Sequence, residues 1–123
     1  MILYLAGPMT DYPRWNFDAF EQGAAVLRSA GFDVVSPAEA DLAEGFDPDA
    51  PAHHFTREHL LAALRRDAEL VLASDGVALL DGWRHSKGAL AERALARAAG
   101  LPARPVALWL ADGPTPQEGS TTE

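Results

Sequence analysis

Residues 76–92 read GVALLDGWRHSKGALAE, and this stretch decides the fold class of the chain. Its first five residues are typical of a short strand buried on both faces. Ser86 can cap a helix, which we predict over residues 86–99 because Gly100 then closes it. A buried strand that leads through a short loop into a helix is the repeating unit of parallel sheets.

The rest of the chain repeats this alternation of strands and helices. The other predicted strands are residues 2–6, 32–35 and 105–110. Asn16 can cap a helix that ends at Gly31, and Thr56 can cap another that runs to about residue 73. The predicted fold is therefore α/β, a single-domain Rossmann-like (flavodoxin-like) parallel sheet with helices on both faces.

Two segments depart from the alternation. Residues 38–55 are acidic and contain Pro48 and Pro51, so we predict a long irregular loop there. Residues 112–123, rich in Pro, Gly, Ser and Thr, are predicted to be a disordered tail. Residues 1–111 then form one domain.

Composition limits the classes of partner. The 123 residues include no cysteine, which excludes disulfides and thiolate metal sites. No apolar run approaches the roughly 18 residues of a membrane span, and the first strand is too short for a signal peptide, so we expect a cytoplasmic protein that does not bind membranes. The net charge of −8 opposes nucleic-acid binding and favours a small metabolite held by local donors.

Loops that follow parallel strands meet at one edge of the sheet, where we expect a ligand crevice. The loops concerned are residues 7–15, 36–55 and 81–87. At a helix N-terminus, Ser86, Lys87 and Gly88 are candidates to hold an anion, although Ser86 serves a plain cap with the same geometry. Gly7-Pro8 is a tight turn that can bring the backbone close to a ligand, but such a turn occurs in any fold.

Two helical carboxylates are candidate catalytic groups. Asp67 shares a helix stripe with Leu60, Leu64 and Val71, which predicts that it faces the core, where an unpaired carboxylate is costly. The alternative is an ion pair with Arg65 or Arg66, which we disfavour because adjacent helical residues point apart.

Glu92 is predicted to lie off the core side of the last helix. We assign that core side to the apolar residues Leu90, Ala94, Leu95 and Ala98. Glu92 then lies between Gly88 and Ala96, whose small side chains leave room for a substrate. The alternative is a solvated helix glutamate.

Sequence motifs for cofactors are missing. His53 and His54 have no third ligand at metal spacing, so a solvated pair is favoured over a metal site. The chain contains neither a Walker A sequence nor G-x-G-x-x-G, which argues against NTP hydrolysis and a standard dinucleotide site. We expect neither a cofactor nor a metal.

Three motifs carry a resemblance to a known family. They are YLAGPM at 4–9, WNF at 15–17, and DGVALL at 75–80 followed by Ser86-Lys-Gly88 and Glu92. They resemble the nucleoside 2-deoxyribosyltransferase superfamily, and most closely its small, often phage-borne branch, the DUF4406 domain. The resemblance covers roughly residues 1 to 110.

The resemblance implies cleavage of the N-glycosidic bond of a deoxynucleoside or nucleotide. Glu92 would be the nucleophile that forms a glycosyl–enzyme intermediate, Asp67 would hold the sugar or orient the nucleophile, and Tyr4 would hydrogen-bond near Glu92. The matched motifs also assign Gly7, Pro8, Met9 and Asn16 to substrate binding. The family further implies a homodimer or larger homo-oligomer with shared active sites.

The residue six positions before Glu92 distinguishes the family's branches. Transferases that act on free nucleosides tend to carry an aspartate there, whereas the similar nucleoside 5′-monophosphate N-hydrolases carry a serine that contacts phosphate. This chain has Ser86, which favours a nucleotide hydrolase because an aspartate would repel the phosphate. A deoxyribosyltransferase and a non-catalytic nucleotide-binding module remain the alternatives.

Overall fold

The computed structural model describes residues 1–114 as one parallel sheet flanked by helices. Its four strands lie in the order β2-β1-β3-β4, all parallel. The strands are β1 (Ile2–Ala6), β2 (Asp33–Val35), β3 (Gly76–Leu79) and β4 (Ala103–Pro105). The helices are α1 (Phe17–Ser29), α2 (Pro37–Ala43), α3 (Arg57–Leu72), α4 (Lys87–Ala98) and α5 (Val106–Asp112). The predicted fold class is confirmed.

Alternating side chains of β1 face opposite sides of the sheet and create two hydrophobic layers. Leu3 and Leu5 are buried in a cluster that includes residues of α1 and α5. Tyr4 and Ala6 are buried in a second cluster that includes residues of α3 and α4. Helices therefore cover both faces. Within the described chain, no helix has the length and apolar character that crossing a membrane requires.

The chain order reverses between β1 and β3, which makes their C-terminal ends the point where such sheets bind ligands. The two loops that leave these strands lie against each other. A Cβ atom added to Gly7 would come within 2.8 Å of the Leu80 Cβ, and one added to Gly82 would come within 2.9 Å of the Tyr12 hydroxyl. Glycine at both positions lets the loops approach this closely.

Two of the three predicted helix caps are confirmed. The Thr56 hydroxyl accepts a hydrogen bond from the His59 N–H at 3.2 Å, and the Ser86 hydroxyl accepts one from the Ala89 N–H at 3.1 Å. The predicted cap at Asn16 is wrong, because its side chain makes no capping bond to α1. Asn16 instead has a φ of +62° and donates from its amide to the Pro8 carbonyl at 2.9 Å.

The prediction of an irregular loop over residues 38–55 is wrong in its first third, which forms α2. Ser36 is the N-cap, Pro37 occupies the first turn, and the Glu39 N–H donates to the Ser36 hydroxyl. A Ser-Pro-x-Glu sequence is a known helix-start signal, so this helix was open to prediction.

The prediction of a strand over residues 105–110 is also wrong. The strand ends at Pro105, which caps α5 and lacks the N–H that would continue a ladder. In α5 the buried Trp109 packs on the sheet and donates its indole N–H to the Val77 carbonyl at 2.9 Å. Of the tail predicted to be disordered, Asp112 ends α5, and residues 115–123 lie outside the described residues.

Candidate active site

Tyr4 and Glu92 form a hydrogen-bonded pair beneath the C-terminal edge of the sheet. The Tyr4 hydroxyl donates to Glu92 Oε2 at 2.7 Å, and the Tyr4 side chain is fully buried. The strand places Tyr4 on the face covered by α3 and α4, while α4 supplies Glu92. The contact that the family resemblance implied between these two residues is present.

Glu92 lies on the sheet-facing side of α4, contrary to the prediction. The buried residues of this helix are Ala89 and Ala96, three positions before Glu92 and four after it, whereas Leu90 is 41% exposed. Small alanine side chains let α4 approach the sheet closely, so Ala89 and Ala96 face the sheet; of the two leucines predicted to lie in the core, Leu95 packs partly buried against it and Leu90 does not. Glu92 is therefore partly buried against the sheet.

Asp67 is buried on α3 and paired with its neighbour Arg66. The distance from Arg66 Nη2 to Asp67 Oδ1 is 2.7 Å, and the guanidinium Nε donates to the same oxygen at 2.9 Å. The argument that adjacent helical residues cannot pair is wrong here, because the long arginine side chain curls back to its neighbour. The predicted stripe is also only half buried, since Leu60 and Leu64 are 43% and 41% exposed.

The Arg66 guanidinium forms ion pairs with two further carboxylates. It lies 2.8 Å from Asp41 and 3.0 Å from Glu44, both contributed by α2 and its C-terminal end. Burial lowers the pKa of Arg66, but the hydrogen bonds to Asp41 and Asp67 outweigh that effect and raise it, so the side chain stays charged. Arg66 was considered from the sequence only as a possible partner of Asp67 and was not predicted as a site residue.

Burial governs the protonation of the two candidate catalytic carboxylates. It raises the pKa of Glu92 to about 8, against a smaller lowering by the Tyr4 hydrogen bond, and the nearby Asp67 charge raises it further. Burial likewise raises the pKa of Asp67, partly offset by Arg66. Burial, followed by the charge of Glu92, raises the pKa of Tyr4 well above its ordinary value, so Tyr4 remains a hydrogen-bond donor.

The predicted anion-binding residues lie at the N-terminus of α4, one helical turn and more from Glu92. Ser86 is the cap, and Lys87 and Gly88 open the helix. Lys87 is exposed, and a Cβ atom added to Gly88 would come no closer than 4.0 Å to another residue, the nearest atom being the Ser86 hydroxyl oxygen. The surface beside this turn is therefore open.

The predicted ligand-binding residues of the first loop mainly contact one another and the β3 loop. Pro8 is buried and joined to Asn16 by the amide hydrogen bond, Gly7 packs on Leu80, and Met9 is half-buried against the core. These contacts give the loop a fixed shape next to the ligand edge of the sheet.

A cavity of about 350 Å³ opens beside Arg66. We call it the aromatic cavity because Trp15, Phe46 and Phe55 form one side of it. The Trp15 ring centroid lies 5.6 Å from that of Phe46 and 5.1 Å from that of Phe55. Asp41 and Arg66 line the same cavity. It depends on the meeting of two loops distant in sequence, which single-sequence patterns do not report.

The loop that carries Trp15 is held in an unusual backbone conformation. Arg14, Trp15 and Asn16 all have positive φ values, of 49°, 56° and 62°. Non-glycine residues in this region cost free energy and persist only when surrounding contacts hold them. Arg14 provides such a contact, since its Nε lies 2.8 Å from Asp49 Oδ1 in the opposite loop. This ion pair thus joins the loop that carries Trp15 to the loop that carries Asp49.

No metal-binding group is found in the described part of the chain. Within residues 1–114, no three His, Asp or Glu side chains are placed so that they could hold a metal ion. His53 and His54 are exposed, with ring centroids 4.6 Å apart.

Comparisons with known proteins agree with this architecture. Residues 1–104 match the family described as domain of unknown function (DUF4406). The fold is similar to that of a 2-deoxyribosyltransferase from the psychrotolerant bacterium Bacillus psychrosaccharolyticus, with a TM-score of 0.60 and 22% identity over 84% of this chain and 69% of that chain. No curated protein matches this sequence.

Proposed function

The chain belongs to the DUF4406 family, and we propose that it is an N-glycosidase that cleaves the base–sugar bond of a (deoxy)nucleoside 5′-monophosphate. Glu92 is the nucleophile, Tyr4 orients it, and Asp67 binds the sugar. Ser86, Lys87 and Gly88 hold the phosphate, and Gly7, Pro8, Met9 and Asn16 shape the adjoining wall.

The observation that carries the proposal is the hydrogen bond between the buried Tyr4 and the partly buried Glu92, near the buried carboxylate Asp67. A carboxylate removed from water is poorly stabilised as an anion, so it is disposed to form a bond with an electron-poor carbon. Tyr4 lies on β1 and Glu92 on the helix that follows β3, and folds of this type bind ligands beyond the carboxyl ends of such strands. The likeness in fold to a deoxyribosyltransferase supports the same chemistry.

In the first step, the ionised Glu92 carboxylate attacks the anomeric carbon C1′ of the sugar. The C1′–N bond breaks, its electron pair leaves with the base, and the base takes up a proton from solvent. With a pKa of about 8, roughly a tenth of Glu92 is ionised at pH 7 in the free protein. The Tyr4 hydroxyl stabilises that ionised fraction by donating to Oε2.

In the second step, water attacks C1′ of the glycosyl–enzyme ester. The bond between C1′ and the Glu92 oxygen breaks, the carboxylate is regenerated, and the water proton passes to solvent. Throughout both steps Asp67 accepts a hydrogen bond from a sugar hydroxyl, and Arg66 holds Asp67 in place through the 2.7 Å ion pair. The cycle needs no metal and no redox partner.

A second candidate is base exchange by a deoxyribosyltransferase. The reaction is identical up to the glycosyl–enzyme ester, and a second base then replaces water at C1′. The fold likeness to a 2-deoxyribosyltransferase favours this candidate, whereas Ser86 at the helix N-terminus favours the nucleotide hydrolase. A catalytically idle nucleotide-binding module is the third reading.

We also propose that the enzyme is a homo-oligomer with shared active sites. Leu60 and Leu64 on α3 and Leu90 on α4 are each more than 40% exposed, and these two helices pack side by side. Exposed leucines on neighbouring helices favour a surface that packs against another subunit. Light scattering should give a mass of at least two chains, and Leu64→Glu should convert the protein to a monomer.

Release of free base, followed by chromatography, tests the proposed reaction. The panel comprises ribo- and deoxyribonucleosides and their 5′-monophosphates, each with and without a second base. We expect release from monophosphates that is lost in Glu92→Gln and kept in Glu69→Gln, an exposed glutamate of α3. Exchange products would establish the transferase instead. Binding of nucleotides without turnover, unchanged in Glu92→Gln, would establish the binding module.

A further inference from the structure

No part of the substrate has been assigned to the aromatic cavity in the proposed reaction. Its volume of about 350 Å³ falls within the range of small-molecule sites. Trp15, Phe46 and Phe55 line it with three aromatic rings, which suit contact with a planar ring. Arg66 lines the cavity and contacts Asp67, so the cavity adjoins the residue proposed to hold the sugar.

The polar side of the cavity is rich in hydrogen-bond acceptors. Among residues 1–114, the titratable side chains that line it are the carboxylates of Asp41, Glu44 and Asp47, the guanidinium of Arg66, and the imidazoles of His54 and His59. The guanidinium is already occupied by Asp41, Glu44 and Asp67. Ionised carboxylates accept hydrogen bonds and cannot donate them. A ligand that contacts these carboxylates therefore has to offer N–H donors to them, and they would repel a phosphate.

Asp41 is the carboxylate best placed to select a ligand. Its side chain is only 19% exposed, against 64% for Glu44, so a hydrogen bond to it is shielded from water. Arg66 contacts Oδ1 of Asp41, and within the described residues no hydrogen bond engages Oδ2. Asp41 lines the cavity, so its second oxygen is available to accept a hydrogen bond from a ligand there.

We propose that the aromatic cavity holds the leaving base and that Asp41 makes it selective for bases with an exocyclic amino group. The inference rests on the proposed function and names its substrate class. Adenine and cytosine present an amino group where hypoxanthine and uracil present a carbonyl oxygen. The amino group donates a hydrogen bond to Asp41. The carbonyl oxygen is itself an acceptor with negative partial charge, so it is repelled by the Asp41 carboxylate and leaves that carboxylate without a hydrogen bond.

Binding of free bases to the full-length protein tests the inference without requiring turnover. Ligand-observed NMR titrations would compare adenine with hypoxanthine and cytosine with uracil. We expect the amino member of each pair to bind about 10- to 100-fold more tightly, the usual effect of a hydrogen bond to a charged group. Equal binding within both pairs, or no base binding, would overturn the inference on the wild-type protein alone.

Asp41→Asn is the decisive variant, because the amide offers both a donor and an acceptor at the same place. We expect the preference to fall to within about 3-fold. Glu44→Gln is the matched control: it removes another carboxylate partner of Arg66 but leaves Asp41, so the preference should persist. Full selectivity in Asp41→Asn, or equal loss in Glu44→Gln, would assign the preference to another group.

Base binding and base release measured on the same wild-type protein separate this inference from the proposed function. Selective base binding by a wild-type protein that releases no base from any substrate of the panel would refute the glycosidase and leave the base site standing. Base release that ignores the amino group in wild type and Asp41→Asn alike would refute the base site and leave the glycosidase.

Discussion

Replacement of Glu92 by glutamine should stabilise the folded protein, and the gain should grow with pH. The unfolded chain releases the Glu92 proton near its ordinary pKa of 4.5, whereas the folded protein retains it up to about 8. Because the folded state binds more protons between these values, its stability is fully present below pH 4.5 and is lost as the pH rises towards 8. Glutamine carries no titrating proton and escapes this loss.

The size of the effect follows from the pKa difference. Each pH unit above 4.5 costs wild type about 1.4 kcal/mol. At pH 7 the interval is about 2.5 units, so Glu92→Gln should be more stable than wild type by about 3 kcal/mol, on top of a pH-independent offset. The gain should level off at about 5 kcal/mol above pH 8.

Urea unfolding at pH 5, 6, 7 and 8 measures this gain. Wild type should lose stability across the series relative to Glu92→Gln, while Glu69→Gln, an exposed change on α3, should run parallel to wild type. A difference between Glu92→Gln and wild type that stays constant with pH would refute the reasoning. It would mean that Glu92 ionises in the folded protein as it does in the unfolded chain.

Four further changes probe the site. The value of kcat/KM should rise with pH up to about 8 and then level, because attack requires ionised Glu92; a decline through pH 8 would mean that the protonated acid is the working form. Tyr4→Phe removes the 2.7 Å hydrogen bond to Glu92 and should lower kcat/KM at pH 7 by about 10-fold, with partial recovery at pH 9 as more of the nucleophile ionises. Arg66→Met leaves three carboxylates without their shared cation and should cost about 3 kcal/mol in urea unfolding, whereas Arg65→Met, exposed on the same helix, should stay within about 0.5 kcal/mol. Ser86→Asp should lower kcat/KM for 5′-monophosphates at least about 10-fold more than for free nucleosides, and equal losses on both would remove the phosphate assignment.

The fold was predictable because strands and helices alternate with clear start and stop residues. Thr56 and Ser86 fixed two helix starts within one residue. The errors arose where neighbouring elements decide the outcome. Residues 105–110 have the apolar character of a strand. Pro105 nevertheless ends the hydrogen-bond ladder of β4, and the residues after it form α5, from which Trp109 is buried against the sheet.

The candidate site was predictable in its identities and not in its environment. The family resemblance named Tyr4, Asp67 and Glu92 before their contacts were known. The orientation of Glu92 was missed because apolar content points to Leu90 as the core residue, whereas close packing on the sheet selects the alanines. Arg66 was discounted from helix geometry alone, which ignores the reach of a long side chain.

Arg66 joins two parts of the site that are otherwise built from separate elements. The side chains proposed to act on the sugar come from β1, α3 and α4, while the acidic and aromatic wall of the cavity comes largely from residues 41–55. An engineer could therefore exchange residues 41–55 for those of another family member and change the accepted base without altering Glu92. Such a graft would work only if it returned a carboxylate to Arg66, which sets one fixed requirement for an otherwise replaceable segment.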